Sequence, residues 1–108
     1  MAARDDDREV AAAAAAGDRL LEHRVRLAIC VLLARRDALS FSRLKQLTGE
    51  TDGSLGAHLK RLEDAGYARV VKEFRDRKPV SWYSLTGAGR RALEKHVRAL
   101  ERVLAGLP

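Results

Sequence analysis

The stretch TDGSLGAHLKRLEDAGY, residues 51–67, carries the signals that begin, orient and end one short helix. Thr51 is the expected N-cap, with Asp52 as the alternative, because side-chain oxygens accept hydrogen bonds from the free amides of a first helical turn. Three leucines follow at spacings of four and three residues, and this spacing places them on a single buried stripe. They are Leu55, Leu59 and Leu62. Gly66 ends the helix, since glycine readily adopts the left-handed conformation that follows a helix C-terminus.

The opposite side of this helix is small or polar. At about 100° per residue, the positions that point away from the leucines are Gly53, Ala57, Lys60, Arg61 and Asp64. Ser54, Gly56 and His58 lie on the flanks of the stripe. Lys60 and Arg61 fit two interpretations: they form a solvated face with neighbouring acidic residues, or they contact a polyanion.

A second short helix precedes this one at a distance that permits only a tight turn. Ser42 is the expected N-cap of the earlier helix, whose apolar positions are Leu44 and Leu47. That helix is expected to stop at Gly49, so only a few residues, TGET at 48–51, separate the two helices. Two short helices joined by so short a connection are typical of a helix-turn-helix.

The N-terminal part divides into a leader and a longer helix. Residues 1–17 are rich in alanine and are interrupted by Gly17. We expect a disordered or weakly helical leader there, because these residues have almost nothing to bury. Residues 18–36 repeat apolar positions with helical spacing, and Asp18 is the expected cap of their helix. The apolar face of this helix is wider than one neighbouring element needs, which indicates contact with a second surface.

The C-terminal part is expected to form a hairpin and then a long helix capped by Thr86. β-branched and aromatic residues in 68–85 favour two strands, and the charged segment RDRKP at 75–79 connects them. The apolar residues of the final helix are spaced 4, 3, 4 and 3, as in a coiled-coil seam. They are Leu93, Val97, Leu100, Leu104 and Leu107. The order of elements predicts a mainly α fold with a small β-hairpin, in the α+β class.

The charge of the chain favours a polyanionic partner. The net charge is +6 over 108 residues, and this length suits a single domain. Residues 1–17 hold two arginines and four acidic residues, a net charge of −2, so the remainder of the chain carries +8. A strongly basic body attracts nucleic acid or another polyanion before any specific contact forms.

Metal, catalytic and membrane functions find little support in the sequence. The histidines His23, His58 and His96 lie on separate predicted helices, and no Cys/His pair has the spacing of metal ligands. Cys30 lies in the apolar run LAICVLLA and is interpreted as a buried core residue, which suits a reducing compartment. No apolar stretch has the length of a membrane span, and the first residues lack the pattern of a signal peptide. We therefore expect a non-enzymatic cytoplasmic protein without a cofactor.

Four pieces of the sequence match a known pattern in order and in separation. They are RLAICVLL, SFSRLKQL, TDGSLGAHLKRLEDAGY and KPVSWYSLTGAGRRAL, and together they extend over about residues 23–100. In these pieces the chain resembles winged-helix regulators of the MarR/ArsR type, and it is especially similar to a family of small bacterial winged-helix proteins. Ser54 stands where that family often has asparagine, and Gly56 stands where it usually has serine. The cysteine-rich metal site of the metal-sensing ArsR regulators is absent from the sequence.

The resemblance implies a winged helix-turn-helix with long terminal helices, over residues 18–108, that binds double-stranded DNA and regulates transcription. In such regulators the second helix of the turn, here about residues 51–65, enters the major groove. The hairpin wing, here about residues 72–80, lies along the DNA backbone or the minor groove. The DNA-binding residues that this assignment implies are Thr51, Ser54, Ala57, His58, Lys60, Arg61, Arg75, Arg77 and Lys78.

The side chains of the second helix have chemistries that suit DNA. Arg61 can read a guanine edge and Lys60 can reach a phosphate. Thr51 and Ser54 can join the free amides of the helix start in holding a phosphate. His58 either packs against the wing or binds a phosphate. The basic residues of the wing form a compact cationic tip for the backbone.

A homodimer is the expected assembly, because one helix-turn-helix of this size contacts little DNA and two copies can occupy two half-sites. Its interface is expected on the terminal helices, at Leu20, Leu21, Val25, Leu93, Val97, Leu100, Leu104 and Leu107. The alternative is that these helices pack only on each other within one chain. The alternative function is a winged-helix protein–protein interaction module that does not bind DNA. The sequence indicates no effector ligand, and it leaves the operator and the direction of regulation open.

Overall fold

The computed structural model describes the backbone of residues 2–108 and the side chains of residues 6–108. The helices are α1 (Ala2–Ala15), α2 (Arg24–Ala34), α3 (Phe41–Thr48), α4 (Asp52–Asp64) and α5 (Gly87–Leu104). The strands are β1 (Leu39–Ser40), β2 (Ala68–Arg75) and β3 (Lys78–Leu85), and they form an antiparallel sheet in the order β1-β3-β2. The predicted α+β class, mainly helical with a small hairpin, is confirmed.

The end of α3 and the start of α4 have the predicted signals, whereas the N-cap of α3 differs from the predicted one. Gly49 ends α3 in the left-handed conformation, with a φ of 72°. Thr51 is the N-cap of α4, and its hydroxyl accepts a hydrogen bond from the amide of Ser54 at 3.1 Å. The predicted cap of α3 was wrong: Ser40, not Ser42, accepts from the amide of Arg43. Because Ser40 ends β1, it already has the extended backbone that an N-cap requires.

A single core holds the helix-turn-helix against the sheet. The three leucines of α4 are fully buried, together with Ile29 and Leu33 of α2 and Leu44 of α3. Tyr83 of β3 closes this core on the side of the sheet. Burying an aliphatic side chain of this size stabilises the fold by roughly 1.5–3 kcal/mol relative to leaving it exposed. The leucine stripe therefore fixes which side of α4 faces inward.

Cys30 lies in the same core, as the sequence predicted. Burial raises the pKa of its thiol to about 12, so the reactive thiolate is strongly disfavoured.

The hairpin of β2 and β3 has a two-residue turn. The pairing runs from Ala68 opposite Leu85 to Arg75 opposite Lys78. Asp76 and Arg77 form the turn, with φ values of 51° and 67°. Two positive φ angles are typical of the turn whose twist matches that of the flanking strands. The predicted hairpin is confirmed, and the structure adds the short strand β1, which pairs with β3.

The predicted helix over residues 18–36 is shorter in the structure. Residues 18–23 form turns, and α2 begins at Arg24 with His23 as its N-cap. Asp18 does not cap this helix, because its carboxylate accepts from the amide of Leu20 at 2.8 Å within the turn. The turn carries Leu21 into the core, where it is fully buried.

The leader is helical, which is one of the two forms expected of it, but it also packs on the rest of the chain. Residues expected to be disordered or weakly helical form α1, a helix of 14 residues that packs along α5. Ala13 is 2% exposed, and Val10 approaches Gly106 so closely that a Cβ there would overlap its side chain. Alanine and glycine allow two helices to approach at a short distance, so the leader buries surface without large apolar side chains. Met1 lies outside the described residues.

No helix in the described part of the chain is both long enough and apolar enough to cross a membrane.

Candidate nucleic-acid interface

The outward face of α4 has the composition that the sequence predicted. Gly53, Ala57, Lys60, Arg61 and Asp64 are all exposed, while the leucines on the opposite side are fully buried. A helix held in this way presents small residues and two cations on one accessible surface. Such a surface can lie close to a groove of duplex DNA without a large side chain separating the two.

Acidic side chains lie at the start of α4, where the sequence predicted a phosphate site. The hydroxyl of Ser54 donates a hydrogen bond to Oε2 of Glu50 at 2.8 Å. Asp52 lies 2.9 Å from Nζ of Lys45, which links the first turn of α4 to α3. The hydroxyl of Thr51 accepts from a backbone amide. The phosphate contact of Thr51 and Ser54 stays a prediction, and for Ser54 it requires the bond to Glu50 to break.

The two outward cations of α4 differ in their local partners. Nζ of Lys60 lies 2.8 Å from the carboxylate of Asp64, and this hydrogen bond raises the pKa of the Lys60 amine. Both side chains are more than 60% exposed, and ion pairs at such positions contribute little to stability. Within residues 6–108, Arg61 forms no ion pair. Its guanidinium is therefore the more accessible of the two for a base edge or phosphate.

His58 packs against the start of α2 and not against the wing. Its ring centroid lies 4.4 Å from that of His23, and its Nδ1 lies 3.1 Å from Nη1 of Arg26. Because a guanidinium can only donate, Nδ1 of His58 is the acceptor. Burial, followed by the charges of His23 and Arg26, lowers the pKa of His58. The neutral imidazole thus links the outward helix to the rest of the domain.

Arg26 is a contact residue that sequence reasoning missed. Its Nε also donates to the carbonyl of Leu20 at 2.6 Å, so one guanidinium joins the residue 18–23 turns to α4. It stands 32 residues from His58, directly before the apolar run LAICVLLA, and no local pattern reveals such a contact. The structure brings two of the three histidines together, but the described residues contain no group of three or more side chains that could hold a metal ion.

The wing presents three exposed cations around its tip. Arg75 stacks over Trp82, 5.3 Å from the ring centroid, and its Nε lies 3.4 Å from Oε1 of Glu73. Trp82 in turn donates from Nε1 to the same oxygen at 2.7 Å. Arg77 lies in the turn itself, and Lys78 follows it as the first residue of β3. Arg75 is therefore held on one face of the wing, with Lys78 as its cross-strand partner, whereas Arg77 lies in the turn at the end of the wing.

The predicted dimerisation residues fall into three groups. Leu21 and Leu93 are buried in the core of the same chain, so their assignment to a dimer interface was wrong. Leu20, Val25 and Val97 are partly buried against that core. The last three lie towards the end of the chain and are exposed when one chain is considered alone. Leu100 is 39% exposed, Leu104 62% and Leu107 70%.

Known proteins are similar to this chain in sequence and in fold. Residues 25–104 match the model of a family described as winged helix DNA-binding domain. An uncharacterized protein from Methanocaldococcus jannaschii is 32% identical over 73 residues, which cover 68% of this chain and 79% of that protein.

Solved structures of other proteins have a fold similar to that of this chain. A transcriptional regulator homologue from Pyrococcus horikoshii OT3 is similar with a TM-score of 0.78 and 25% identity, over 94% of this chain and 96% of that chain. A zinc-responsive MarR family member from Lactococcus lactis has the same fold, with a TM-score of 0.58 and 20% identity, over 76% of this chain and 56% of that chain. Since the family model matches most of the chain and the helices and wing lie where that fold requires them, the chain belongs to the winged helix DNA-binding domain family.

Proposed function

We propose that this protein is a sequence-specific, double-stranded DNA-binding transcriptional regulator that acts as a homodimer. In this proposal α4 lies in the major groove, and the wing contacts the backbone or the minor groove. The observation that carries the proposal is the division of α4 into a fully buried leucine side and an exposed side with Lys60 and Arg61. The +8 charge of residues 18–108 supplies the attraction to DNA. A protein with this partner resides on the nucleoid, in the cytoplasm.

Arg61 and Arg77 are expected to contribute to binding in different ways. Arg61→Ala should weaken binding to a specific duplex by about 1–3 kcal/mol and relax the preference for its sequence, because this side chain reads a base edge. Arg77→Ala should weaken binding to every sequence about equally, because the wing tip contacts phosphates. Affinities for a selected duplex and for a scrambled duplex of the same length measure both effects.

Arg69→Ala is the matched control for these variants. Arg69 is an exposed arginine near the base of the hairpin, away from the wing tip. Its removal changes the net charge by the same amount. A loss of affinity therefore indicates a direct contact only when it exceeds the loss in Arg69→Ala. A loss confined to the specific duplex in Arg77→Ala would refute the assignment of the wing tip to phosphates.

The shape of the single chain favours a dimer. Its radius of gyration is 16.7 Å and its longest extent is 66 Å, whereas a compact domain of this length has a radius of gyration of about 13 Å. The helices α1 and α5 pack side by side, and the leucines towards the end of α5 stay exposed. A second copy packed on this helical pair would cover those leucines and give a more compact assembly.

Leu100→Ala combined with Leu104→Ala is expected to shift the protein from dimer towards monomer. Both side chains are substantially exposed in one chain, so their truncation should cost the protomer little. In a dimer interface they become buried, and each truncation of a buried leucine costs about 2–5 kcal/mol. Sedimentation equilibrium at micromolar concentration measures the mass, which for the wild type should be about twice 11.9 kDa.

Val31→Ala combined with Leu47→Ala is the control, since these side chains are 41% and 42% exposed on α2 and α3. This variant should remain dimeric. A wild-type mass near 11.9 kDa would refute the dimer and make α5 a brace within one chain.

A further inference from the structure

Phe74 on β2 is the most exposed large apolar side chain in the described part of the protein, at 77%. It precedes the turn by two residues and stands opposite Pro79 of β3. Alternation along the strand puts it on the same face of the hairpin as Val70, whose cross-strand partner Tyr83 is buried. The ring therefore extends the core-facing side of the sheet past the end of the core.

Basic side chains flank this ring at the end of the hairpin, and all are exposed. Lys72 lies on the same face of β2 as Phe74, Arg77 lies in the turn, and Arg75 and Lys78 lie on the opposite face. Two acidic residues lie nearby: the carboxylate of Glu73 is engaged by Trp82 and Arg75, and Asp76 is an exposed residue of the turn, so the basic residues outnumber the acidic ones. An apolar ring with a cationic border is complementary to a polyanion whose interior is apolar and aromatic. Two wing tips of this kind would repel each other, so a second copy of the wing is disfavoured as the partner.

The hairpin holds the ring in a fixed position. Each strand has eight residues, and the pairing continues without interruption up to Arg75 opposite Lys78. On the other face, Trp82 joins the two strands through its hydrogen bond to Glu73, and Arg75 stacks over its indole. A contact residue on a rigid support loses little conformational entropy when it binds.

We propose that the wing inserts Phe74 from the minor groove between two stacked base pairs of duplex DNA and kinks the duplex at that step. The proposal rests on the DNA-binding function proposed above. The cations at the end of the hairpin hold the phosphates of the adjoining backbone, and the ring occupies the opened step. Apolar wedges that enter in this way bend DNA by about 20–90° towards the major groove.

The wedge also gives the protein a way to select sequence at bases whose edges it does not read. Pyrimidine–purine steps unstack and kink more easily than others. Phe74 therefore favours a TA or CA step beside the site of α4, through the cost of deformation and not through hydrogen bonds.

The test uses the full-length protein and the tightest duplex recovered from a random-sequence pool. 2-Aminopurine replaces each adenine of the flanks in turn and reports unstacking by its fluorescence, and dyes at the two ends report bending by energy transfer. The wild type should unstack one flanking step and shorten the end-to-end distance. Phe74→Ala should abolish both signals and weaken binding about tenfold, with an unchanged salt dependence because no phosphate contact is lost.

Two variants and a stability measurement complete the test. Phe74→Leu keeps an apolar wedge and should restore much of the bend, whereas Val71→Ala, a truncation of a 52% exposed side chain on the other face, should behave as the wild type. Thermal unfolding of Phe74→Ala should match the wild type, since the ring is mostly exposed in the free protein.

The outcomes separate the wedge from DNA binding itself. If the wild type binds the duplex and Phe74→Ala binds and bends it equally well, the wedge is refuted and the proposed function stands. If the wild type binds no duplex, both proposals fail. An anionic membrane is the other surface that suits an apolar, cationic tip. Binding to vesicles of phosphatidylglycerol that depends on Phe74, together with an unbent duplex, would overturn the wedge in favour of a membrane contact.

Discussion

The affinity of the protein for duplex DNA should fall by about three orders of magnitude or more between 50 and 200 mM salt. The physical reason is the release of counterions when cationic side chains neutralise phosphates. A dimer in which each copy brings its wing cations and the outward lysine and arginine of α4 can neutralise about 6 to 10 phosphates. That number sets the slope of the logarithm of the binding constant against the logarithm of the salt concentration. Fluorescence anisotropy with a labelled duplex, repeated over a series of salt concentrations, measures this dependence.

Single substitutions provide internal controls for this slope. Arg77→Ala should reduce its magnitude by about one or two, depending on whether one or both copies of the dimer place this residue on a phosphate. Phe74→Ala should leave the slope unchanged. A flat response to salt in the wild type would contradict DNA binding through phosphates, and it would favour the alternative of a protein–protein interaction module.

Gly89→Ala is expected to destabilise the fold by about 2 kcal/mol or more, as overpacking of a tight contact usually does. Gly89 lies in the first turn of α5, where its amide donates to the hydroxyl of Thr86 at 3.0 Å. A Cβ at this position would overlap the carbonyl oxygen of Tyr67 and lie 2.8 Å from Cδ1 of Leu85. That carbonyl already accepts from the amide of Thr86 at 3.0 Å, so it has little freedom to move.

Gly87→Ala, two residues earlier in the same helix, is the control. A Cβ there meets only the end of the flexible Arg91 side chain. In a helix, alanine is generally favoured over glycine by up to about 1 kcal/mol, so Gly87→Ala should be neutral or stabilising. Thermal and urea unfolding of both variants measure the difference. Equal stability of the two variants would show that α5 can shift away from Tyr67 without cost.

The sequence by itself determined the elements whose causes are local. The spacing of the leucines in α4, the caps Thr51 and Thr86 and the glycines that follow α3 and α4 all act within a few residues. Hydrogen bonds of caps and the periodicity of a helix depend on neighbours in sequence, so they can be predicted from a single chain. The same holds for the outward face of α4, because burying one side of a helix determines the direction of the other.

The start of α2 and the cap of α3 could not be predicted in this way, because in each case two residues compete for the same role. Asp18 and His23 are both competent caps, as are Ser40 and Ser42. The structure selects His23 and Ser40. The carboxylate of Asp18 accepts from Leu20 within the turns, and a contact distant in sequence holds its backbone, since its amide donates to Nδ1 of His96 at 2.8 Å.

The tertiary structure alone decided which apolar residues are core and which remain at the surface. Leu21 and Leu104 have the same side chain and lie in similar apolar patterns, yet one is fully buried and the other 62% exposed. The packing of α1 along α5 and the bond from Tyr67 to the carboxylate of Asp18 at 2.6 Å join residues far apart in sequence. Periodicity specifies that a side of a helix is apolar, but only the arrangement of the other elements specifies what covers it.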